Sequence, residues 1–210
     1  MVYLPEHFEE SRPDVLHKLI AEFPLATLVT FGPDGLGANH IPLYLDRGRG
    51  ELGTLVGHVA RSNPVWIDGQ HEGESLAVFQ GDDAYISPNW YVSKQETHEV
   101  VPTYNYAVVH VHGPLIVHDD PKWLRGAVGR LTKKMEASQP APWKMADAPP
   151  AYIDSMLTSI VGIEMPITRI FGKWKVSQNR SGADKASAIE GLRSTGERTD
   201  AAIADLIERR

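Results

Sequence analysis

The chain has 210 residues, of which 42% are hydrophobic and 23% charged, a composition that suits one sizeable core and excludes a disordered chain. It contains no cysteine, which excludes disulfides, thiolate metal sites and a cysteine nucleophile. The formal net charge of -6 disfavours nucleic-acid binding by the molecule as a whole, because a phosphate backbone attracts cations. The sequence shows neither a signal-peptide pattern nor an apolar run of about 18 residues, so we predict a soluble cytoplasmic protein without a membrane span.

A short helix is predicted near the start of the chain. Ser11 is a suitable N-cap, and Pro24 ends the helix. The apolar side chains that recur between them at helical spacing are Val15, Leu16, Leu19, Ile20 and Phe23. One face of this helix is therefore expected to pack against the core.

About six strand regions follow, each rich in β-branched or aromatic residues and separated from the next by turn residues. The first two flank "GPDG" and are predicted to form a hairpin. The regions cover residues 25–31, 36–45, 51–59, 74–81, 101–119 and 160–178. Close spacing of this kind is typical of an antiparallel barrel or sandwich.

Helices are predicted between and after the later strands. Asp120 is an N-cap followed by Pro121 at the first helical position, and the helix that they open is apolar on one face and basic on the other. Two further helices are predicted over 149–159 and 197–210. The polar segment 93–100 is predicted to be a loop that covers a site.

The segment "GHVARSNPVW", residues 57–66, allows two interpretations. A strand that ends in His58, Arg61 and Ser62 before a helix opened by Asn63 and Pro64 supplies a cation, a hydroxyl and backbone N–H groups for a phosphate. The same residues also suit an ordinary strand end, with a solvated arginine and helix-start chemistry. Spacing alone does not choose between them.

Five segments together resemble the PaiB-like family of FMN-binding negative transcriptional regulators. They are "ANHIPL", "GHVARSNPVW", "AYISPNWY", "VPTYNYAVVHVHG" and "GIEMPITRIFGKWKVSQNR". The resemblance extends from the first helix to about Arg180. It implies a mainly β fold, a split β-barrel with peripheral α-helices, over residues 1–182, and leaves 183–210 as a helical extension. It also implies a homodimer that holds FMN at the subunit interface.

The same resemblance implies which residues bind FMN. Asn39, His40 and Ile41 are expected on a strand that passes the flavin, and the group His58, Val59, Ala60 and Arg61 on the phosphate and ribityl side. Further contacts are implied for Trp90, Tyr91, Lys175 and Gln178. For several of these, a structural role stays open: His40 suits the core, Trp90 and Tyr91 suit a dimer interface, and polar residues such as Gln178 also suit a capped strand end.

Other chemistry has less support in the sequence. His110 and His112 alternate onto one strand face, but no third ligand accompanies them at suitable spacing, so we predict no metal. No nucleophile-elbow pattern is present, and we assign no catalytic residue.

Three classes of function remain open: an FMN-binding regulator of transcription, a small FMN-dependent oxidoreductase, and a flavin- or haem-binding sensor without turnover. Direct DNA contact would have to come from local basic patches in residues 122–144 and 173–198.

Overall fold

A computed structural model describes residues 2–68 and 73–210. Its α-helices are α1 (Pro13–Glu22), α2 (Val65–Asp68), α3 (Ser93–Thr97), α4 (Pro121–Met135), α5 (Pro150–Thr158), α6 (Gly182–Ser194) and α7 (Arg198–Glu208). Its strands are β1 (Glu9–Glu10), β2 (Leu25–Gly32), β3 (Gly35–Pro42), β4 (Tyr44–Asp46), β5 (Thr54–Ala60), β6 (Ser75–Ile86), β7 (Thr103–Gly113), β8 (Ile116–His118), β9 (Ile160–Pro166) and β10 (Arg169–Lys175).

The strands form two antiparallel sheets. One has six strands in the order β1-β10-β7-β6-β2-β3, and the other has four in the order β4-β5-β9-β8. The chain also divides into two compact units. The first unit comprises Met1–Leu19, Gln80–Val109 and Phe171–Arg210, and the second comprises Ile20–Phe79 and His110–Ile170. Among the described residues, no helix is long and apolar enough to cross a membrane.

The second unit contains the predicted β2–β3 hairpin. Its turn is at "GPDG", where Gly35 has a φ of +99°, a conformation that glycine adopts without a Cβ clash. Along β2 the side chains alternate between buried and more exposed positions, as the pleat of a strand covered on one face requires. β3 is the last strand of its sheet, and most of its side chains are exposed.

Helices α4 and α5 cover part of this unit. The Asp120 carboxylate caps α4 by accepting a hydrogen bond from Trp123 N at 2.7 Å, which confirms the predicted start. The buried face of α4 carries Leu124, Ala127 and Leu131. Leu124 packs with Ile153 and Leu157 of α5, so the two helices share one apolar cluster.

The first unit joins β1 to β10 and adds the α6–α7 helix pair. Glu9 faces Lys173 in the register, and Glu10 faces Gly172. Gly172 allows α1 to approach closely, because a Cβ at this position would lie 2.2 Å from Leu16 Cδ2. The buried residues of α6 and α7 are Asp184, Ala188, Leu192, Ile203, Ala204 and Ile207.

Several sequence predictions need correction. The regions 36–45, 101–119 and 160–178 each contain two strands where one continuous strand was expected. Residues 93–97 form α3 where a loop was predicted. Helix α6 was not predicted as a separate element. The described part of segment 183–210 is largely helical, but the proposed domain boundary at 182 stays a prediction.

Candidate functional site

The end of β5, in the second unit, contains three of the predicted cofactor residues, His58, Val59 and Ala60, and Arg61 follows directly. In the pairing with β9, His58 faces Gly162, Val59 faces Val161 and Ala60 faces Ile160. Burial lowers the pKa of His58, so its imidazole is neutral at pH 7 and contributes no cation for a phosphate. Val59 is buried and Ala60 is exposed, so of these two only Ala60 presents its side chain to solvent.

Arg61 makes an extensive set of contacts within the second unit. Its guanidinium binds Asp119 in a bidentate pair, Nη1–Oδ2 at 2.9 Å and Nη2–Oδ1 at 2.5 Å. Nε donates to the Thr158 carbonyl at 2.7 Å and Nη2 to the Ile160 carbonyl at 3.1 Å. These bonds use four of the five N–H donors and join the end of β5 to Asp119, to the last residue of α5 and to the first residue of β9.

The carboxylate of Asp119 also changes the electrostatics at Arg61. The Arg61 guanidinium holds the pKa of Asp119 below its usual range, so this carboxylate stays negative at neutral pH. A phosphate that approached Arg61 would meet this negative charge and would have to compete for the same donors. In this arrangement Arg61 acts first as a structural clamp.

A pair of amides lies beside the turn that follows β5. Asn63 Nδ2 donates to Asn39 Oδ1 at 2.8 Å, and Asn63 Oδ1 accepts from Val65 N at 3.0 Å. The second bond opens α2, as predicted for "SNP". A cavity of about 200 Å³ adjoins this pair and is lined by Asn39, Asn63, Val65 and the β2–β3 turn, residues 32–37. Its walls combine neutral donors and glycine backbone with the carboxylate of Asp34.

The neighbours of Asn39 on β3 divide between core and surface. Ile41 is buried, so its side chain belongs to the core, whereas His40 is exposed and open to contact. In the register with β2, Thr27 faces His40 and Ala26 faces Ile41. The alternative of a core histidine therefore does not describe His40.

Trp90 and Tyr91 lie in the first unit, at the end of a short 3-10 turn whose N-cap is Ser87. Trp90 is half-buried against α6, where Gly191 leaves room for its ring: a Cβ at 191 would lie 2.4 Å from it. Tyr91 is buried, with the Arg180 guanidinium 4.5 Å from its ring centroid. Its hydroxyl is buried and has no hydrogen-bond partner among the described residues.

Lys175 and Gln178 also lie in the first unit, and they differ in how many hydrogen-bonding groups remain for a ligand. The Lys175 ammonium donates to the Thr103 hydroxyl and the Tyr104 carbonyl, which leaves one N–H. Gln178 uses its amide on its own strand end, accepting from Val176 N at 2.7 Å and donating to the Trp174 carbonyl at 2.5 Å. Gln178 therefore caps β10, and its contact with a cofactor stays a prediction.

The sequence reasoning missed three residues near these groups. Asp119, the partner of Arg61, was read only as the end of a strand region. Arg180 and Asn105 were not singled out as site residues, although "SQNR" ends the last segment that resembles the family. A basic residue that directly follows a polar strand end was the available signal for Arg180. No cluster of three metal-binding side chains occurs among the described residues.

Comparison with known proteins identifies the family. A family described as "Putative FMN-binding domain" matches residues 2–169. The chain belongs to this family. The match covers the segment from Asn39 to Arg61 and the region of Trp90 and Tyr91, but it ends before Lys175 and Gln178.

Curated relatives match nearly the whole chain, and a solved structure matches most of it. An uncharacterised protein of Emericella nidulans is 30% identical over 244 aligned positions that cover 100% of this chain and 97% of that protein. The protease synthase and sporulation protein PAI 2 of Bacillus subtilis is 28% identical, covering 99% and 97%. The structure of the FAD and haem binding protein from Mycobacterium smegmatis has a TM-score of 0.59 at 16% identity and covers 85% of this chain and 79% of that one. The predicted split-barrel fold and the PaiB-like family are confirmed.

Proposed function

We propose that this protein binds FMN and that β3 and the end of β5 form the binding surface. The observation that carries the proposal is the family match over residues 2–169, which includes both elements. FMN supplies redox-active flavin chemistry wherever it is bound. The contribution of this chain is to hold the flavin and to set its orientation.

The donors in the second unit fit the polar groups of a flavin and its ribityl chain. After the contact with Asn39, the Asn63 amide keeps one N–H, and no described residue accepts from the Asn39 amide nitrogen. His40 on β3 and Ala60 at the end of β5 are exposed, so their side chains add to the same proposed surface. Ile41 and Val59 are buried and would contribute through their backbone.

The phosphate role that the resemblance implies for Arg61 has a specific structural requirement. Because Asp119 occupies the guanidinium, a phosphate would have to replace that carboxylate. Asp119→Asn tests this exchange. If Arg61 binds the FMN phosphate, removing the competing charge should tighten FMN binding, whereas a purely structural Arg61 should leave it unchanged.

We also propose that the protein is a homodimer, as the resemblance implies. The β2–β3 hairpin supports this because it exposes three large apolar side chains: Leu25 at 59%, Phe31 at 68% and Leu36 at 78%. Exposed apolar side chains that lie together on one hairpin favour association with a second copy. Light scattering at low micromolar concentration should show a dimer, and Leu36→Glu should shift it toward monomer. A wild type that is monomeric and still binds FMN would overturn this proposal.

A regulatory role for the FMN-binding protein is supported by the relative in Bacillus subtilis, which is named for protease synthesis and sporulation. Direct DNA contact through α4 has weaker support. Arg125 of this helix pairs with Asp154, and Arg130 donates to the Tyr44 hydroxyl at 2.7 Å. Burial, with the charge of Arg47, also lowers the pKa of Lys134. In the second basic patch, residues 173–198, Arg193 and Arg198 are paired with carboxylates. We therefore propose regulation through FMN occupancy.

Titration of flavin-free protein with FMN, followed by quenching of flavin fluorescence, tests the proposed function. We expect saturation at one FMN per chain and weaker binding by Asn63→Ala, because each lost hydrogen bond costs about 0.5 to 1.5 kcal/mol. Lys133→Gln, on the exposed face of α4, is the matched control and should bind like wild type. Absence of saturable binding by the wild type would overturn the proposal.

A further inference from the structure

We propose that a cavity beside the end of β10, in the first unit, binds an anionic oxygen group, a phosphate or a carboxylate. Its polar lining includes Tyr91, Thr103, Asn105, Lys175, Ser177 and Arg180, and Val101, Pro102 and Asn179 complete it. None of them belongs to β3 or β5, on which the FMN proposal rests.

The size of the cavity suits one functional group. Its volume is about 110 Å³, below the roughly 300–1,000 Å³ of pockets that hold a whole drug-sized ligand. Three or four waters at about 30 Å³ each would fill it. A phosphate or carboxylate group fits this space, and a three-ring flavin does not.

The charge of the cavity is positive and unbalanced. Neither Lys175 nor Arg180 has a described carboxylate within ion-pair distance, and no described residue accepts a hydrogen bond from the Arg180 guanidinium. The charge of Arg180 acts on the carboxylate of Asp184. The oxygens of Asp184 accept hydrogen bonds from Ser93 N at 3.0 Å and from Ser93 Oγ at 2.9 Å. The cavity lining therefore carries two cations and no carboxylate, and the charge of Asp184 acts on Arg180 from outside the lining.

A buried hydroxyl adds to this evidence. Tyr91 is 2% exposed, and its Oη has no partner among the described residues. Leaving a buried polar group without a hydrogen bond is unfavourable, so such groups often mark a site for a ligand or an ordered water. An oxyanion in the cavity would accept a hydrogen bond from this hydroxyl.

The backbone beside the cavity is held in an uncommon conformation. Ser177 has a φ of +62°, in the left-handed region that non-glycine residues seldom adopt. The side chain of Ser177 is held by the buried Asn105, whose Nδ2 donates a hydrogen bond to Ser177 Oγ at 2.8 Å. Backbone strain of this kind is common at binding sites, where the surrounding structure maintains it.

The protonation of Lys175 agrees with an excess of positive charge. Burial lowers the pKa of Lys175, and the charges of Lys173 and Arg180 lower it further. Binding of an anion would offset both effects and favour the charged ammonium.

The anion could come from either of two sources. One is the phosphate of an FMN that is bound to β3 and β5 of a second copy of the chain, and the other is a separate small anion. The first source rests on the proposed function, and the second does not. Riboflavin separates them because it lacks the phosphate. If the cavity holds the FMN phosphate, Arg180→Gln weakens FMN binding and leaves riboflavin binding unchanged. If it holds a separate anion, Arg180→Gln leaves the binding of both flavins unchanged.

Calorimetric titration of the full-length protein with inorganic phosphate tests the site itself. We expect saturable binding by the wild type. We also expect a loss on the order of 10- to 150-fold in Arg180→Gln, the range that corresponds to one charge-assisted hydrogen bond. Lys175→Met should show a similar loss. Lys94→Gln is the matched control in the same unit, because Lys94 contacts Asn89 and does not line the cavity.

Arg180→Gln keeps the test valid if Lys175→Met fails to fold, since no described residue accepts a hydrogen bond from the Arg180 side chain. Phosphate binding that is absent in the wild type, or equally strong in wild type and Arg180→Gln, would overturn the proposed site. Failure of FMN to bind while phosphate binding still depends on Arg180 would instead reject only the proposed function.

Discussion

Arg49 and Arg61 of the second unit differ from Arg180 of the first unit in what surrounds them, although other arginines of the first unit, such as Arg198, also pair with carboxylates. In the second unit, Arg49 pairs with Glu164 at 2.8 Å and Arg61 pairs with Asp119 at 2.5 Å. In the first unit, Arg180 lies over the Tyr91 ring, and Lys175 donates only to neutral oxygens. Positive charge near a motif is thus insufficient to indicate an anion site. The charge that a ligand can use is the charge that no carboxylate has already neutralised.

The largest effect is expected at Arg49. Glu164 is 6% exposed, and Arg49→Met would remove the cation that its carboxylate binds through two hydrogen bonds. We expect a loss of about 1 to 2 kcal/mol in the free energy of unfolding. This is less than for a fully buried ion pair, because the Arg49 side chain is 43% exposed and solvent screens its charge. Urea unfolding at pH 7 measures it. An unchanged midpoint would show that the pairing in this unit has no structural role.

The same variant should change the response to acid. Burial raises the pKa of Glu164, but the bond from Arg49 and the charge of His118 outweigh it, so the pKa lies below its usual value of 4.5. A lowered carboxylate pKa contributes stability that is present above the unfolded pKa and is lost as pH falls through the folded pKa. The stability advantage of the wild type over Arg49→Met should therefore be full well above pH 4.5 and should shrink as pH falls below it. Coincident acid-unfolding curves would contradict this.

A smaller effect is expected at Arg61. Arg61→Gln removes the Asp119 pair and the bonds to two carbonyls, and we expect the melting temperature to fall by a few degrees. Arg198→Gln is the matched control, because Arg198 is 78% exposed and makes one contact of 3.1 Å with Asp82. Circular dichroism during heating compares the two. Equal changes in both variants would reject the structural role of Arg61.

The smallest effect is expected at Tyr91. Tyr91→Phe removes a hydroxyl that has no described partner and keeps the ring beneath Arg180. We expect the melting temperature without phosphate to stay the same or to rise slightly, since an unpaired buried hydroxyl is unfavourable. Phosphate affinity should fall by a few fold in the same variant. A clear loss of stability without phosphate would show that the hydroxyl has a structural partner.

Local signals were sufficient for part of this fold. The β2–β3 hairpin follows from "GPDG", and α4 begins at Pro121 because Asp120 can cap it, so both were predicted before any tertiary contact was known. The break between β9 and β10 depends on distant partners: Ile167 N donates to the Gly53 carbonyl and Thr168 N to the His112 carbonyl. Bonds between residues so far apart in sequence leave no local pattern.

The sequence also predicted only part of the candidate site, because the partners of its residues lie far away in the chain. The resemblance selected the right family and drew attention to Arg61, but the partner of Arg61 is 58 positions away in the sequence. Neither the Asp119 pair nor the lack of an ion pair at Arg180 among the described residues follows from spacing. Which cation is neutralised depends on tertiary structure.

Thermal unfolding of the wild type, Arg61→Gln and Arg180→Gln, each with and without inorganic phosphate, tests most directly the claim that the two regions differ. We predict that Arg61→Gln has a lower melting temperature but keeps the rise that phosphate produces in the wild type. We predict that Arg180→Gln lowers the melting temperature less than Arg61→Gln does, because no described residue accepts a hydrogen bond from the Arg180 guanidinium, and that it loses the rise with phosphate. The opposite pattern, in which Arg61→Gln loses the response to phosphate and Arg180→Gln retains it, would contradict the account.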